Sequence, residues 1–183
     1  YTDKNHQGAI AFLSPIDFCN VETLIPTLFE AGKTPLLMVL DGVTDVRNFG
    51  AIARTCACAG ADALIIGSHG SVAINGDAVK TSAGALYHLP VCKVDNLQHT
   101  LQYLRDSGFH VVAATEHATE NYTDVDMTAP VAIVMGSEEK GIYEGNLRIC
   151  SHQVRIPMSG VIESLNVSVA AGVMLYEVVR QRG

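Results

Sequence analysis

Charged residues are scarce in this sequence, 17% of 183. That is low for a free-standing surface and leaves room for a buried interface between subunits. There is no basic surplus either: 12 Lys and Arg face 19 Asp and Glu, a net charge of −7. Coating nucleic acid by bulk charge is thereby excluded, although a local basic groove is not. No apolar run approaches the roughly 18 residues of a membrane span. The start, Tyr1-Thr2-Asp3-Lys4, is too polar for a signal peptide. It also lacks an initiator Met, so a trimmed or partial chain is expected. The five cysteines, at 19, 56, 58, 92 and 150, include no CxxC pair. A disulfide framework is not expected, and the setting is read as reducing and cytoplasmic. Cys56 and Cys58, among alanines, read as small buried hydrophobes. The seven histidines show no HExxH or other metal spacing and read as surface or loop residues; no metal is expected. Repeats and low-complexity tracts are missing too.

What is present is a core. Hydrophobic residues make up 48% of the chain, enough for one domain with a short lead-in. Residues 36–40, 63–67 and 131–135 are apolar runs of strand length, as expected for strands buried on both faces, and 110–114 reads as a further strand. Shorter strands are expected at 8–13, 89–92 and 153–156. Helical patterns fall at 21–31, 48–59, 76–81, 97–107 and 166–182. Gly32, Gly60 and Gly108 follow three of them, and Asn48 reads as a cap. The alternation points to an α/β domain, a mostly parallel sheet flanked by helices.

Three segments depart from plain strand, turn and helix. Each follows a predicted strand, the end at which open α/β sheets bind ligands. In the first, residues 41–55, the helix from Asn48 is built almost wholly of small residues, and Arg54 is its one charge. Desolvated, a guanidinium there needs a carboxylate or phosphate; otherwise it reaches to solvent and Asn48 merely caps the helix. In the second, residues 134–142, Gly136 and Gly141 have the spacing of a phosphate-binding loop. Ile142-Tyr143 stands where Lys-Ser/Thr should, and two carboxylates would repel a triphosphate, so that reading is rejected. A glycine at a strand end admits a ligand to the backbone, and Glu138 is a natural partner for Arg54; an ordinary polar turn is the alternative. In the third, residues 156–172, an apolar loop carrying Ser164 and Asn166 precedes a small-residue helix that Asn166 can cap. It reads as a site or as a capped packing helix.

Together, in this order, the segments resemble the three motifs of the SpoU (TrmH-like) branch of the SPOUT methyltransferases. Asn48, Gly50 and Arg54 match Asn-x-Gly-x-x-x-Arg. Gly136, Ser137, Glu138 and Gly141 match Gly-Ser-Glu-x-x-Gly. Ile156-Pro157-Met158 and Ser164-Leu165-Asn166-Val167-Ser168 match the third. The resemblance runs from about residue 36 to the end. His6-Gln7-Gly8 and Ala9-Ile10-Ala11 resemble the segment joining an L30e-like RNA-binding domain to the catalytic domain in the bacterial 23S rRNA guanosine 2′-O-methyltransferase group. Residues 1–18 are therefore expected to be a lead-in from an upstream RNA-binding domain, and 19–183 the catalytic domain.

The resemblance implies a deep trefoil knot at the C-terminus, an exception to the usual unknotted topology. It implies S-adenosylmethionine as cofactor, bound by Gly136, Ile156, Leu165, Pro157 and Met158 together with the stretch 113–116, chiefly Ala114 and Thr115. It implies methylation of an RNA ribose 2′-hydroxyl, ribosomal RNA being preferred over transfer RNA, by a homodimer whose active sites are each completed by the neighbouring subunit. Arg54, Asn48, Glu138, Ser164 and Asn166 become the catalytic group. Arginine keeps its proton at physiological pH, which disfavours it as a general base. Holding the target phosphate and stabilising the developing alkoxide suits it better, with the other four positioning it and the ribose. The helix at 166–182 carries Val167, Val169, Val173, Met174, Leu175 and Val178, more apolar surface than one face needs; it is read as part interface or as wholly core. The competing functions are a tRNA methyltransferase, a non-catalytic assembly factor of the same fold, and a Rossmann dehydrogenase, the last disfavoured because no GxGxxG follows a strand.

Overall fold

The structure is a computed structural model that describes residues 14–162 and 164–183. The strand expected at 8–13 and most of the expected lead-in lie outside the described residues. The elements in order are β1 Phe18–Cys19, α1 Val21–Glu30, β2 Leu36–Asp41, α2 Val46–Ala59, β3 Ala63–Gly67, α3 Gly76–Thr81, a 3-10 turn Ala85–Tyr87, β4 Val91–Val94, α4 Leu97–Asp106, β5 His110–Ala114, β6 Glu120–Asn121, β7 Val131–Gly136, α5 Glu144–Leu147, β8 His152–Arg155 and α6 Val167–Arg182. The eight strands form one sheet in the order β1-β4-β3-β2-β7-β5-β8-β6. Every pairing between them is parallel. The mostly parallel α/β expectation is borne out.

The long apolar runs are central strands because both faces of the sheet are covered. In β2, Leu36, Met38 and Leu40 face the core beneath α2, α3 and α6, while Leu37 and Val39 face the core beneath α1 and α4. In β7, Val131, Ile133 and Met135 take the first face and Ala132 and Val134 the second. This is the period-two alternation of a strand, made invisible in sequence by burial on both sides. Each fully buried aliphatic side chain contributes about 1.5–3 kcal/mol.

Small residues let the helices come close. A methyl on Gly50 would lie 2.6 Å from Thr81 Cβ, so α2 packs directly on α3. A methyl on Gly172 of α6 would lie 3.8 Å from Thr55 Cγ2 of α2. On α6, Val167, Met174, Leu175 and Val178 are buried, Val173 is half-buried and Val169 is exposed. Arg182, its proton held less tightly because of burial, ties the end of α6 to the carbonyls of Thr34 at 2.7 Å, Ala129 at 2.7 Å and Met127 at 3.1 Å.

Several expectations are corrected. Asn48 does not cap α2: Asp45 does, its Oδ1 accepting from the amides of Arg47 at 2.8 Å and Asn48 at 3.0 Å. Those two amide bonds, Asn48's first, also lower the Asp45 pKa. The helix thus begins earlier and includes a second charge, Arg47. Cys58 is exposed, two positions and therefore about 200° around the helix from buried Cys56; burial pushes the Cys56 thiol up to about 12. His110 and His152 are strand residues of β5 and β8, half-buried, with ring centres 5.8 Å apart.

Candidate active site

Residues from all three sequence segments meet beyond the carboxyl ends of β2, β5 and β7, beside the point where strand order reverses between β2 and β7. There β7 ends at Gly136. A methyl on Gly136 would fall far inside van der Waals contact with the backbone of Gly141 and Ile142. What this glycine admits is therefore first the chain's own loop. Residues 137–141 fold back on themselves, with Ser137 N to Gly141 O at 3.1 Å and Gly141 N to Ser137 O at 2.9 Å. Ser137 Oγ accepts the Lys140 amide at 3.1 Å, and Gly141 takes φ 65°, the left-handed region open to glycine.

This hairpin presents Glu138. Its Oε1 accepts from Asn166 Nδ2 at 2.6 Å and from the Val167 amide at 3.3 Å. A carboxylate is favoured there by the partial positive charge at the amino end of α6. Asn166 caps α6 as expected, accepting from Ser168 N at 3.0 Å. The same Nδ2 donates to Asn48 Oδ1 at 3.0 Å. Asn48, Glu138 and Asn166, each from a different segment, thus form one hydrogen-bonded cluster.

Beside the cluster lies a cavity of about 410 Å³. Its apolar walls are Met135, Ile142, Leu147, Ile156, Met158 and Leu165, and its rim carries Thr115, Glu116, His117, Glu138, Glu139 and Ser164. The volume lies in the range of about 300–1,000 Å³ typical of small-molecule sites. Apolar walls flank the ends of β5 and β7, where Ala114, Thr115 and Gly136 line the space. Three carboxylates, Glu116, Glu138 and Glu139, against one lining lysine, Lys140, leave a net negative potential for a cationic ligand. The donor set therefore fits an adenosyl sulfonium. Among the described residues no group of three or more His, Cys, Asp or Glu could hold a metal ion.

The sequence matches the profile of the SpoU rRNA Methylase family over residues 35–176. The chain belongs to this family. It is 40% identical over 178 residues to the 23S rRNA (guanosine-2′-O-)-methyltransferase RlmB of Photobacterium profundum, covering 97% of this chain and 72% of that protein. The Yersinia pestis RlmB is 43% identical over 162 residues, covering 88% of this chain and 66% of that one. Among solved structures, the SpoU methyltransferase AviRb from Streptomyces viridochromogenes in complex with AdoMet is similar, with a TM-score of 0.76 and 32% identity over 82% of this chain. The A. aeolicus TrmH/SpoU tRNA modifying enzyme has a TM-score of 0.74 and 34% identity over 88% of this chain. The chain spans 58% of the AviRb chain.

In this SpoU domain the expected cofactor residues Ala114, Thr115, Gly136, Ile156, Met158 and Leu165 all line the cavity. Pro157 does not. It is exposed between two lining residues, as side chains on an extended segment point alternately to opposite sides. Ala113, in the stretch 113–116, is buried in the sheet instead. Of the expected catalytic group, Glu138, Ser164 and Asn166 line the cavity, and Asn48 reaches it through Asn166. Arg54 does not line it. It sits on the exposed side of α2, about 9 Å further along the helix axis than Asn48, and makes no ion pair among the described residues. The expected Arg54–Glu138 pair is thus not formed; Asn166 and Val167 occupy the carboxylate. Met135, Ile142, Leu147 and His117 were missed. The first three read as core, and only their position at a strand end or after the glycine loop distinguishes them.

Replacing Asn166 with Ala removes a helix cap and leaves Glu138 without its short partner. The expected loss is about 1–2 kcal/mol, read as a lower urea midpoint with an unchanged slope.

Proposed function

We propose that this SpoU domain methylates a ribose 2′-hydroxyl of RNA, a guanosine of 23S rRNA being the target, with S-adenosylmethionine as methyl donor. The assignment as an RNA ribose 2′-O-methyltransferase using S-adenosylmethionine is borne out by the family match, by the RlmB relatives and by the AdoMet complex of AviRb. The observation that carries it into this chain is the convergence of Asn48, Glu138 and Asn166 at the mouth of the apolar cavity.

When bound, the cofactor supplies a methyl already activated on sulfonium, so no metal is required. The protein's work is alignment and charge. Ile156, Leu165 and Met158 cover apolar ligand surface, and the strand ends offer backbone groups. Glu138 and Asn166 fix the cavity mouth against the first turn of α2. Arg54, a permanent cation, holds the target phosphate and stabilises negative charge growing on the attacking oxygen.

Because Arg54 is exposed and lies outside its own chain's cavity, it is placed to serve the cavity of a second copy. Exposed Val169, Tyr176 and Val179 on α6 supply apolar surface for such a homodimer. The resemblance supports a C-terminal trefoil knot, and Asn166, at the start of α6, meets Glu138 just beyond β7. Residues 1–18 act as lead-in from an upstream RNA-binding domain and 19–183 as the catalytic domain. No helix among the described residues is long and apolar enough to cross a membrane, and the cytoplasm is the proposed location.

The test is incubation of the protein with methyl-labelled cofactor and unmodified 23S rRNA or tRNA transcripts. Label entering 23S rRNA is expected. Label entering tRNA alone would move the substrate assignment. Cofactor binding without transfer to either RNA would favour a non-catalytic assembly factor.

A further inference from the structure

Asp41 ends β2, in register with Gly136 of β7. None of the three motifs uses it. Its Oδ2 accepts from the Tyr143 amide at 2.7 Å and from Asn146 Nδ2 at 2.8 Å. Both donors lie just beyond the loop that closes over Gly136. Asn146 is only 3% exposed, and its Oδ1 has no hydrogen-bond partner. The unpartnered oxygen costs stability, so the amide keeps this buried place through its other half, which Asp41 holds. The same carboxylate adds to burial in pushing the Cys150 thiol up to about 12. Gly42, at φ 77°, turns the chain away so that its Cα faces Ser137 at the start of the loop.

From this we infer that Asp41 is a positioning residue for the cofactor loop. Ser137 and Gly141 clamp the loop upon itself, and Asp41 clamps its downstream end to β2. Ile142, a cavity wall, lies immediately before the anchored Tyr143 amide. Glu138, within the same loop, is thereby held in reach of Asn166. Charge-assisted bonds to a carboxylate are roughly twice as strong as neutral ones, which suits an anchor that must keep a glycine-rich loop in one shape before ligand arrives. The inference rests on the cofactor reading of the cavity.

The test compares wild type, Asp41→Ala, Asp41→Asn and Asn146→Ala by two readouts. Amide hydrogen exchange over residues 137–146 in protein without ligand reads the anchor itself. Calorimetric titration with S-adenosylhomocysteine reads its consequence. Asp41→Ala is expected to raise exchange in this loop selectively and to weaken binding about tenfold. Asp41→Asn, which keeps an acceptor oxygen, is expected to restore most of the affinity, and Asn146→Ala to give a smaller loss than Asp41→Ala. In turnover, the loss is expected in KM for the cofactor with kcat nearly kept. Unchanged loop exchange in Asp41→Ala, or a uniform rise across the whole domain, overturns the inference. Failure of wild type to bind S-adenosylhomocysteine would instead overturn the cofactor reading, while the exchange readout still decides the anchor.

Discussion

Arg54→Lys lowers methyl transfer about a hundredfold or more while leaving affinity for S-adenosylhomocysteine within about twofold of wild type, since the side chain is outside the cavity wall. Lysine keeps the positive charge but not the planar fork that can grip a phosphate with two parallel bonds. A general electrostatic role would survive the exchange; a positioning role would not. Because the residue is exposed on α2, the substitution leaves the thermal midpoint almost unchanged, as surface changes do. Steady-state kinetics with calorimetry on the same preparation separates the two parameters. Near-normal turnover would refute the positioning role and leave Arg54 a general electrostatic one at most. If Arg54 serves the cavity of a second copy, mixing two inactive proteins, one Arg54→Ala and one with a disabled cavity, restores part of the activity through mixed dimers. Two proteins that stay inactive on mixing, with exchange of subunits verified, would place the residue in its own chain's site or in none.

Gly136→Ala supplies the second large effect. The added methyl meets backbone, not a movable side chain: the Gly141 carbonyl carbon and the Ile142 nitrogen stand where it would go. The loop must be displaced, because β7 is paired on both sides, with β2 and with β5. Overpacking of this kind costs about 1–3 kcal/mol. Displacement carries Glu138 away from Asn166 and Ile142 out of the cavity wall, so cofactor affinity falls about tenfold or more, equivalent to at least about 1.4 kcal/mol. Urea unfolding and calorimetry read the two losses separately. A variant that binds S-adenosylhomocysteine as wild type does would mean that the hairpin is not part of the cofactor site.

These consequences differ in how far they were legible in the sequence. The apolar runs at 36–40, 63–67 and 131–135, and Val111 to Ala113 of β5, are strands because burial on both faces selects continuous hydrophobicity. The edge strand β6, Glu120–Asn121, has two polar residues and no core contact to mark it. The four-residue helix α5 is too short for a periodic signal. At the start of α2, Asp45 and Asn48 are both good caps three residues apart; the choice between them depends on the turn after Gly42. The roles of Glu138 and Asn166 at one cavity followed from motif order. Their pairing with each other, in place of Arg54, depends on how the loop after β7 meets the start of α6, a contact 28 residues apart in sequence. Asp41 carried no sequence signal beyond ending an apolar run, because its partners, Tyr143 and Asn146, lie more than a hundred positions away. Local pattern reports burial and capping; long-range hydrogen bonds to backbone amides leave little trace in it.

Alkaline hydrolysis of RNA labelled by the enzyme tests the central claim most directly. Hydrolysis needs a free 2′-hydroxyl, so a methylated ribose blocks cleavage at its own phosphodiester. The account predicts that the labelled methyl appears in an alkali-stable dinucleotide. Label recovered in ordinary mononucleotides, as a methylated base, would contradict it.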